Sequence, residues 1–310
     1  MMKIITRYIL PVALLAGCVA ALSAQERKAS ETMFKYPSVP DTISTFGARA
    51  DYYVTHFWDM ADMNRVFSAP QADLAGTFSD YISLMPHASE DVAAASIGRL
   101  IGEASKDPKR LVAISRVAEN ALYGPSASFW SDDLYIPFLK ALADNKKVDK
   151  AERMRASQRL KLLENTRIGS PAPDLKITLR DGSVRNIVAQ PDSALVFTVL
   201  FFNDPDCTDC NTARMRLHVD YLVSRMIKNG LVNIVCVYPG EADDEWRRGV
   251  ERYPAEWTVG ASPDADMVYD VRSTPAWYVL NREGFIVDKN ITVDDVMAIL
   301  YRLRNLKVLQ

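Results

Sequence analysis

The chain has 310 residues, of which 48 % are hydrophobic and 25 % charged, with a formal net charge of −2. That balance belongs to a globular protein, and with no polybasic run nucleic acid is a poor fit as a partner. Its four cysteines are too few for a disulfide-stapled scaffold.

Lys3 and Arg7 precede the apolar stretch Tyr8–Ala24, which ends in small residues. This is the anatomy of an export signal. The stretch is short for a membrane span and lacks a basic stop-transfer flank. Leu15-Ala16-Gly17-Cys18 resembles the lipobox of bacterial lipoproteins, with Cys18 as the lipidation site, whereas Ser23 and Ala24 before Gln25 offer ordinary cleavage. Both routes place the mature protein in the cell envelope, as a periplasmic protein or an outer-membrane lipoprotein. Loss of Lys3 and Arg7 would take the net charge to about −4. The roughly 285 residues that remain suit about two domains. We divide the chain into a signal over 1–24, a linker over 25–41, a helical domain over 42–166 and a second domain over 167–310.

The helical domain has no strand-like segment. Ala48–Met63 places Tyr52, Tyr53, His56, Phe57 and Met60 on one apolar face. Gln71–Leu84, with Pro70 at its start, turns Leu74, Phe78, Tyr81 and Ile82 inward. Ser89 is placed to cap Asp91–Glu103, and Pro108 opens Lys109–Leu122. After the turn Tyr123–Ser126, helices are expected over Ser131–Ala143 and Val148–Asn165. His56 and His87 are isolated and read as surface or core-edge residues, not metal ligands. Met33–Tyr36, Trp58, Trp130 and Trp246 could line a groove, but aromatic residues at this spacing read first as core.

Gly169-Ser-Pro-Ala-Pro173 breaks the composition, and the periodicity changes after it. Leu175–Leu179 and Val184–Val188 flank Asp181-Gly182, a hairpin signal. The continuous apolar run Leu195–Phe202 reads as a buried central strand. A helix is expected from Cys207 to Asn229, with Met215, Val219, Leu222 and Met226 on its buried stripe and Asn229-Gly230 as its C-cap. Leu231–Tyr238 then completes a βαβ unit, and the thiol of Cys236 within it should be buried. A helix over Asp243–Tyr253, strands over Trp277–Asn281 and Phe285–Lys289, and a helix capped by Thr292 and running through Arg304 close the chain.

Cys207-Thr-Asp-Cys210 lies between the central strand and the helix. A C-x-x-C there puts the first sulfur at a helix N-terminus, where unpaired N–H groups favour a thiolate. The second sulfur, one turn on, can close or release a disulfide. That is redox chemistry. Zinc would need further ligands that are not near in sequence.

This order of elements, with Cys207-Thr-Asp-Cys210 and Ser273-Thr274-Pro275, resembles the thioredoxin fold: a central mixed sheet flanked by helices, here behind an all-α domain. Ile168-Gly-Ser-Pro-Ala-Pro-Asp174 and a long interval between Cys207 and Pro275 are similar to the TlpA-like envelope thiol-disulfide oxidoreductases. The resemblance runs from about Ile168 to Arg304. It implies Cys207 as attacking thiolate, Cys210 as resolving thiol, a cis peptide before Pro275, and pairing of the Thr274 backbone with an extended client. It implies client proteins with thiols or disulfides and an upstream redox partner, and no cofactor. The helical half, through Pro37–Pro40, Arg49–Trp58 and the Leu122–Ser128 turn, resembles an uncharacterised domain that precedes thioredoxin-like domains in exported bacterial proteins.

The chain also departs from the family. Asp206 stands where a Trp is usual, Thr208-Asp209 replaces Gly-Pro, and Phe201 holds the strand position of the buried proton-transfer acid. Asp204, Asp206 and Asp209 crowd the pair with negative charge, which disfavours the thiolate and opposes the helix dipole. A comparatively reducing pair is expected. The alternative is a degenerate thioredoxin-fold module for binding or assembly, with a structural disulfide. A peroxide-reducing cysteine is not expected, because Pro205-Asp-Cys-Thr-Asp-Cys does not fit P-x-x-x-T-x-x-C.

Overall fold

The computed structural model describes residues 32–125, 127–187 and 195–302. The signal segment, Cys18, Ser126, Val188 and Arg304, the expected end of the last helix, lie outside these described residues.

The N-terminal region is all helical, with α1 (Phe46–His56), α2 (Met63–Ser68), α3 (Gln71–Ile82), α4 (Glu90–Ala104), α5 (Pro108–Leu122), α6 (Asp132–Asp144) and α7 (Lys150–Asn165). Leu74, Phe78, Tyr81 and Ile82 of α3 are buried as their spacing demands. Side-chain caps start several helices: Asp107 accepts from Lys109 N before α5, and Asp149 from Ala151 N before α7. Ser89 is the N-cap residue of α4 but makes no side-chain cap bond. Its N–H instead donates to Asp51 at 2.6 Å.

The single helix expected over Ala48–Met63 is two. α1 ends at His56, backbone turns Asp59 N–H to His56 O and Ala61 N–H to Trp58 O reverse the chain, and Asp62 caps α2. Met60 is consequently exposed rather than on the buried face. Phe34 and Tyr36 do pack on the core: their ring centroids lie 5.6 and 4.7 Å from that of the buried Phe57.

In the C-terminal half the strands are β1 (Lys176–Leu179), β2 (Val184–Asn186), β3 (Phe197–Phe202), β4 (Val232–Tyr238), β5 (Thr258–Ala261), β6 (Ala276–Asn281) and β7 (Ile286–Lys289). The helices are α8 (Thr208–Val219), α9 (Tyr221–Lys228), α10 (Asp244–Val250), α11 (Ala265–Val268) and α12 (Val293–Tyr301). Among the described residues they form one mixed sheet in the order β2-β1-β5-β4-β3-β6-β7. β3 is central, parallel to β4 and antiparallel to β6, and its residues from Thr198 onward are buried. A strand covered on both faces has to be apolar on both, which is why Phe197–Phe202 shows no alternation. The β1–β2 hairpin turns at Gly182, whose φ of +82° is open to glycine without strain.

Two features of this half differ from expectation. β5 and α11 lie in a segment without a clear period, so the sequence marked neither. The helix after Cys207 is broken at Asp220, whose backbone is extended and whose carboxylate accepts Val223 N–H at 2.9 Å. The break changes the phase of the apolar stripe. Met215 and Val219 are 47 % and 70 % exposed, whereas Ala213, Leu217, Val223 and Met226 face the core.

Candidate active site

Cys207 is the N-cap residue of α8 and is disulfide-bonded to Cys210, with the two Cα atoms 5.2 Å apart. Its Sγ accepts the Cys210 N–H at 3.1 Å, so one of the helix's unpaired donors is aimed at this sulfur. Cys210 is buried and Cys207 half-buried, which leaves the first sulfur as the accessible one.

The turn entering α8 is tied down by its own polar groups. Asp204 accepts Asp206 N–H through its side chain at 2.8 Å and Cys207 N–H through its carbonyl at 3.1 Å. Asn211 Nδ2 donates to Pro205 O at 2.9 Å. Pro205 packs on α10 at Gly249, where a Cβ would sit 2.7 Å from Pro205 Cβ, so only glycine allows this approach. Beneath the pair, Phe201 stacks on Trp277 with centroids 3.9 Å apart. The floor of the site is therefore aromatic, with Phe201 and Trp277 both buried.

The loop before β6 faces Cys207. The Thr274–Pro275 peptide is cis, and Thr274 O lies 3.7 Å from Cys207 Sγ. Among the described residues no group hydrogen-bonds the Thr274 N–H. The fold thus brings together Cys207, Cys210, Thr274 and Pro275, the four residues expected from the sequence; Cys18 is outside the described residues. The third sulfur, Cys236, is fully buried in β4, and burial pushes its thiol well up from its ordinary value.

Sequence reasoning missed the contribution of the helical region to this loop. Arg272, two residues before Thr274, donates from Nε and Nη2 to Asp270 Oδ2 at 3.0 and 2.8 Å and from Nη2 to Asp132 of α6. Its guanidinium lies 4.1 Å from the Tyr123 ring centroid and 5.0 Å from that of Trp130. Lys289 Nζ adds ion pairs to Asp132 at 2.6 Å and Asp270 at 3.6 Å, and a bond to Thr166 at 3.3 Å. Tyr123 OH and Asn290 Nδ2 complete the Asp270 carboxylate at 2.7 and 3.0 Å. Burial pushes the Asp270 carboxyl up, but the Arg272 guanidinium and Lys289 outweigh it and hold the group below the usual carboxylate range. Trp130, expected as core, is 38 % exposed. The only sequence signals for this cluster are the charges Asp270 and Arg272 and, far away in the chain, Asp132, which alone read as surface.

Comparison with known proteins fits this arrangement. A family described as a domain of unknown function (DUF5106) matches residues 19–166. A crystal structure of a thioredoxin-like protein from Bacteroides caccae superposes with a TM-score of 0.77 at 26 % identity, covering 87 % of this chain and 98 % of its own. A conserved protein of unknown function from Bacteroides fragilis has 25 % identity and a TM-score of 0.40, covering 43 % of this chain and 98 % of its own. The thioredoxin domain of a thiol-disulfide oxidoreductase from Bacteroides vulgatus has 19 % identity and a TM-score of 0.38, covering 45 % of this chain and 99 % of its own. No curated protein matches the chain. The C-terminal half is therefore a thioredoxin-like fold, and the helical region before it is the part that the DUF5106 description covers.

Proposed function

We propose that this protein is an exported thiol-disulfide oxidoreductase acting on client proteins in the cell envelope, with Cys207 as nucleophile and Cys210 as resolving thiol. The observation that carries the reading is the half-buried Cys207 sulfur, placed at the α8 N-terminus, paired to Cys210 and open towards the Thr274–Pro275 loop.

In the reducing direction, the Cys207 thiolate attacks one sulfur of a client disulfide. A mixed disulfide forms and one client thiolate leaves. The Cys210 thiolate then attacks the Cys207 sulfur, closing the Cys207–Cys210 disulfide and releasing the second client thiolate. The client gains two electrons, the pair loses two, and the protons of Cys207 and Cys210 end on the client thiols. Return to the dithiol requires an upstream dithiol donor, the redox partner implied by this cycle. Thr274 would pair through its free N–H with the client backbone, and Pro275, which has no N–H, leaves the sulfurs clear of a competing donor.

We place the pair on the reducing side because Asp204, Asp206 and Asp209 surround it and disfavour the Cys207 thiolate, which stabilises the disulfide relative to the dithiol. The signal segment supports export, and Cys18 offers a lipid anchor to the membrane if the lipobox-like sequence is processed as one. Among the described residues no helix is long and apolar enough to cross a membrane.

The test is a redox titration of the purified protein read by alkylation and intact mass, in wild type and in Cys207→Ser and Cys210→Ser variants. A reversible two-thiol step is expected towards the lower end of the ~−270 to −120 mV span of working oxidoreductases, absent in both variants. A disulfide that never opens in that range would instead make this half a binding or assembly module.

A further inference from the structure

Beside the disulfide lies a cavity of about 340 Å³ lined by Ala213 and Thr212 of α8, Pro275 and Trp277 of the loop and β6, and Ile291 and Val293 at the start of α12. Trp130, which belongs to the helical region, also lines it, as do the charged residues Asp209, Arg216 and Arg272. The tryptophan is exposed yet fixed. Its Nε1 donates to Gly124 O at 3.0 Å, and Arg272 stacks on its ring at 5.0 Å. Holding a tryptophan rigid while leaving it partly in water forgoes the burial that normally fixes such a ring.

Two further observations concern this wall. Arg272 lines the cavity with a side chain only 4 % exposed, so the group on which the Trp130 ring rests is itself fixed. The cavity is also continuous with the reacting centre. Ser273 and Pro275 in its lining flank Thr274, whose carbonyl lies 3.7 Å from Cys207 Sγ. A polypeptide joined to Cys207 and running along Thr274 would place a side chain next to its own cysteine in this space.

We propose that Trp130 is a substrate-contact residue of the thiol-disulfide site, and that the pocket it walls takes an apolar side chain adjacent to the reacting cysteine of a client polypeptide. Arg272 is a positioning residue: it fixes the Trp130 ring against the cis-proline loop. This rests on the oxidoreductase reading given above and adds to it the class of client and the part of the chain that selects it. The helical region is in this sense one wall of the active site.

The test uses the reduced full-length protein and three probes. Two are disulfide-linked peptides that differ only in carrying leucine or glycine beside the cysteine; the third is 2-hydroxyethyl disulfide, which has no side chain to place. Wild type should react with the leucine peptide about tenfold faster than with the glycine peptide, through KM. Trp130→Ala should bring that ratio to about one, and Trp130→Phe should keep most of it. The loss on the leucine peptide should exceed the loss on 2-hydroxyethyl disulfide at least fivefold. Equal rates on the two peptides in wild type, or an equal loss on all three probes in Trp130→Ala, would overturn the proposal. Binding of the same peptides with serine in place of cysteine, measured by calorimetry, separates the two readings. If no probe exchanges but the leucine peptide still binds more tightly and loses that preference in Trp130→Ala, the redox reading fails and the pocket stands. If neither protein prefers leucine, the pocket fails.

Discussion

At the scale of single residues, Asp270 shows how charge can be buried usefully. Its carboxylate is fully enclosed and accepts from Tyr123, Arg272 and Asn290 while facing Lys289. A buried ion pair is not strongly stabilising by itself, but removing one partner strands the other. Asp270→Asn should therefore cost about 3–5 kcal/mol at neutral pH, measured by urea denaturation. The sign of the pH dependence follows from the lowered carboxyl. Its stabilisation is complete above the ordinary value of 3.8 and is lost as pH falls through the folded value. The gap between wild type and Asp270→Asn should accordingly narrow as pH drops below about 4. A gap of the same size at pH 7 and pH 3 would contradict this account. Cys207 and Cys210 were legible because a C-x-x-C between a strand and a helix has a local meaning. Asp270 and Trp130 were not, because the contacts that join them to the other half, Tyr123 to Asp270 and Arg272 to Trp130, span more than a hundred residues and only packing makes them.

At the scale of elements, the pattern of apolar residues located β3, β4, β6 and the helical α3 to α7 closely, the strands as continuous apolar runs and the helices by their sustained period. The exceptions share a cause. After the break at His56 the chain restarts as α2 at Asp62, and the break between α8 and α9 falls at Asp220; in both places an aspartate caps a new helix rather than continuing the old one. A stripe drawn straight through Asp220 therefore names Met215 and Val219 as core, although both are outside it. Asp220 also ties α9 to α12, since Tyr301 OH donates to its second oxygen at 2.6 Å. Asp220→Ala should cost about 1–2 kcal/mol by chemical denaturation. Asp220→Asn, which can still accept Val223 N–H, should lose less than half of that. Equal losses in the two variants would place the effect elsewhere than in the cap.

At the scale of the whole molecule, the two halves meet at polar groups that neither could satisfy alone. Asp132 on α6 is the acceptor that Arg272 and Lys289 share across the junction. The wild-type protein should unfold in one calorimetric transition, and Asp132→Ala should separate it into two, with the C-terminal half losing the more stability. A single unchanged transition would show that the junction couples the halves by some other contact. The same arrangement limits how freely the parts can be exchanged. With Asp132 removed, Arg272 and Lys289 face Asp270 alone, so the isolated C-terminal half carries an unbalanced cation beside its cis-proline loop. A hybrid built by grafting a different helical region would inherit that imbalance unless the graft supplied an acid at the same place. Modularity in this protein extends to the order of its domains but stops at their shared seam, where a splice has to carry a matched pair of charges rather than a boundary.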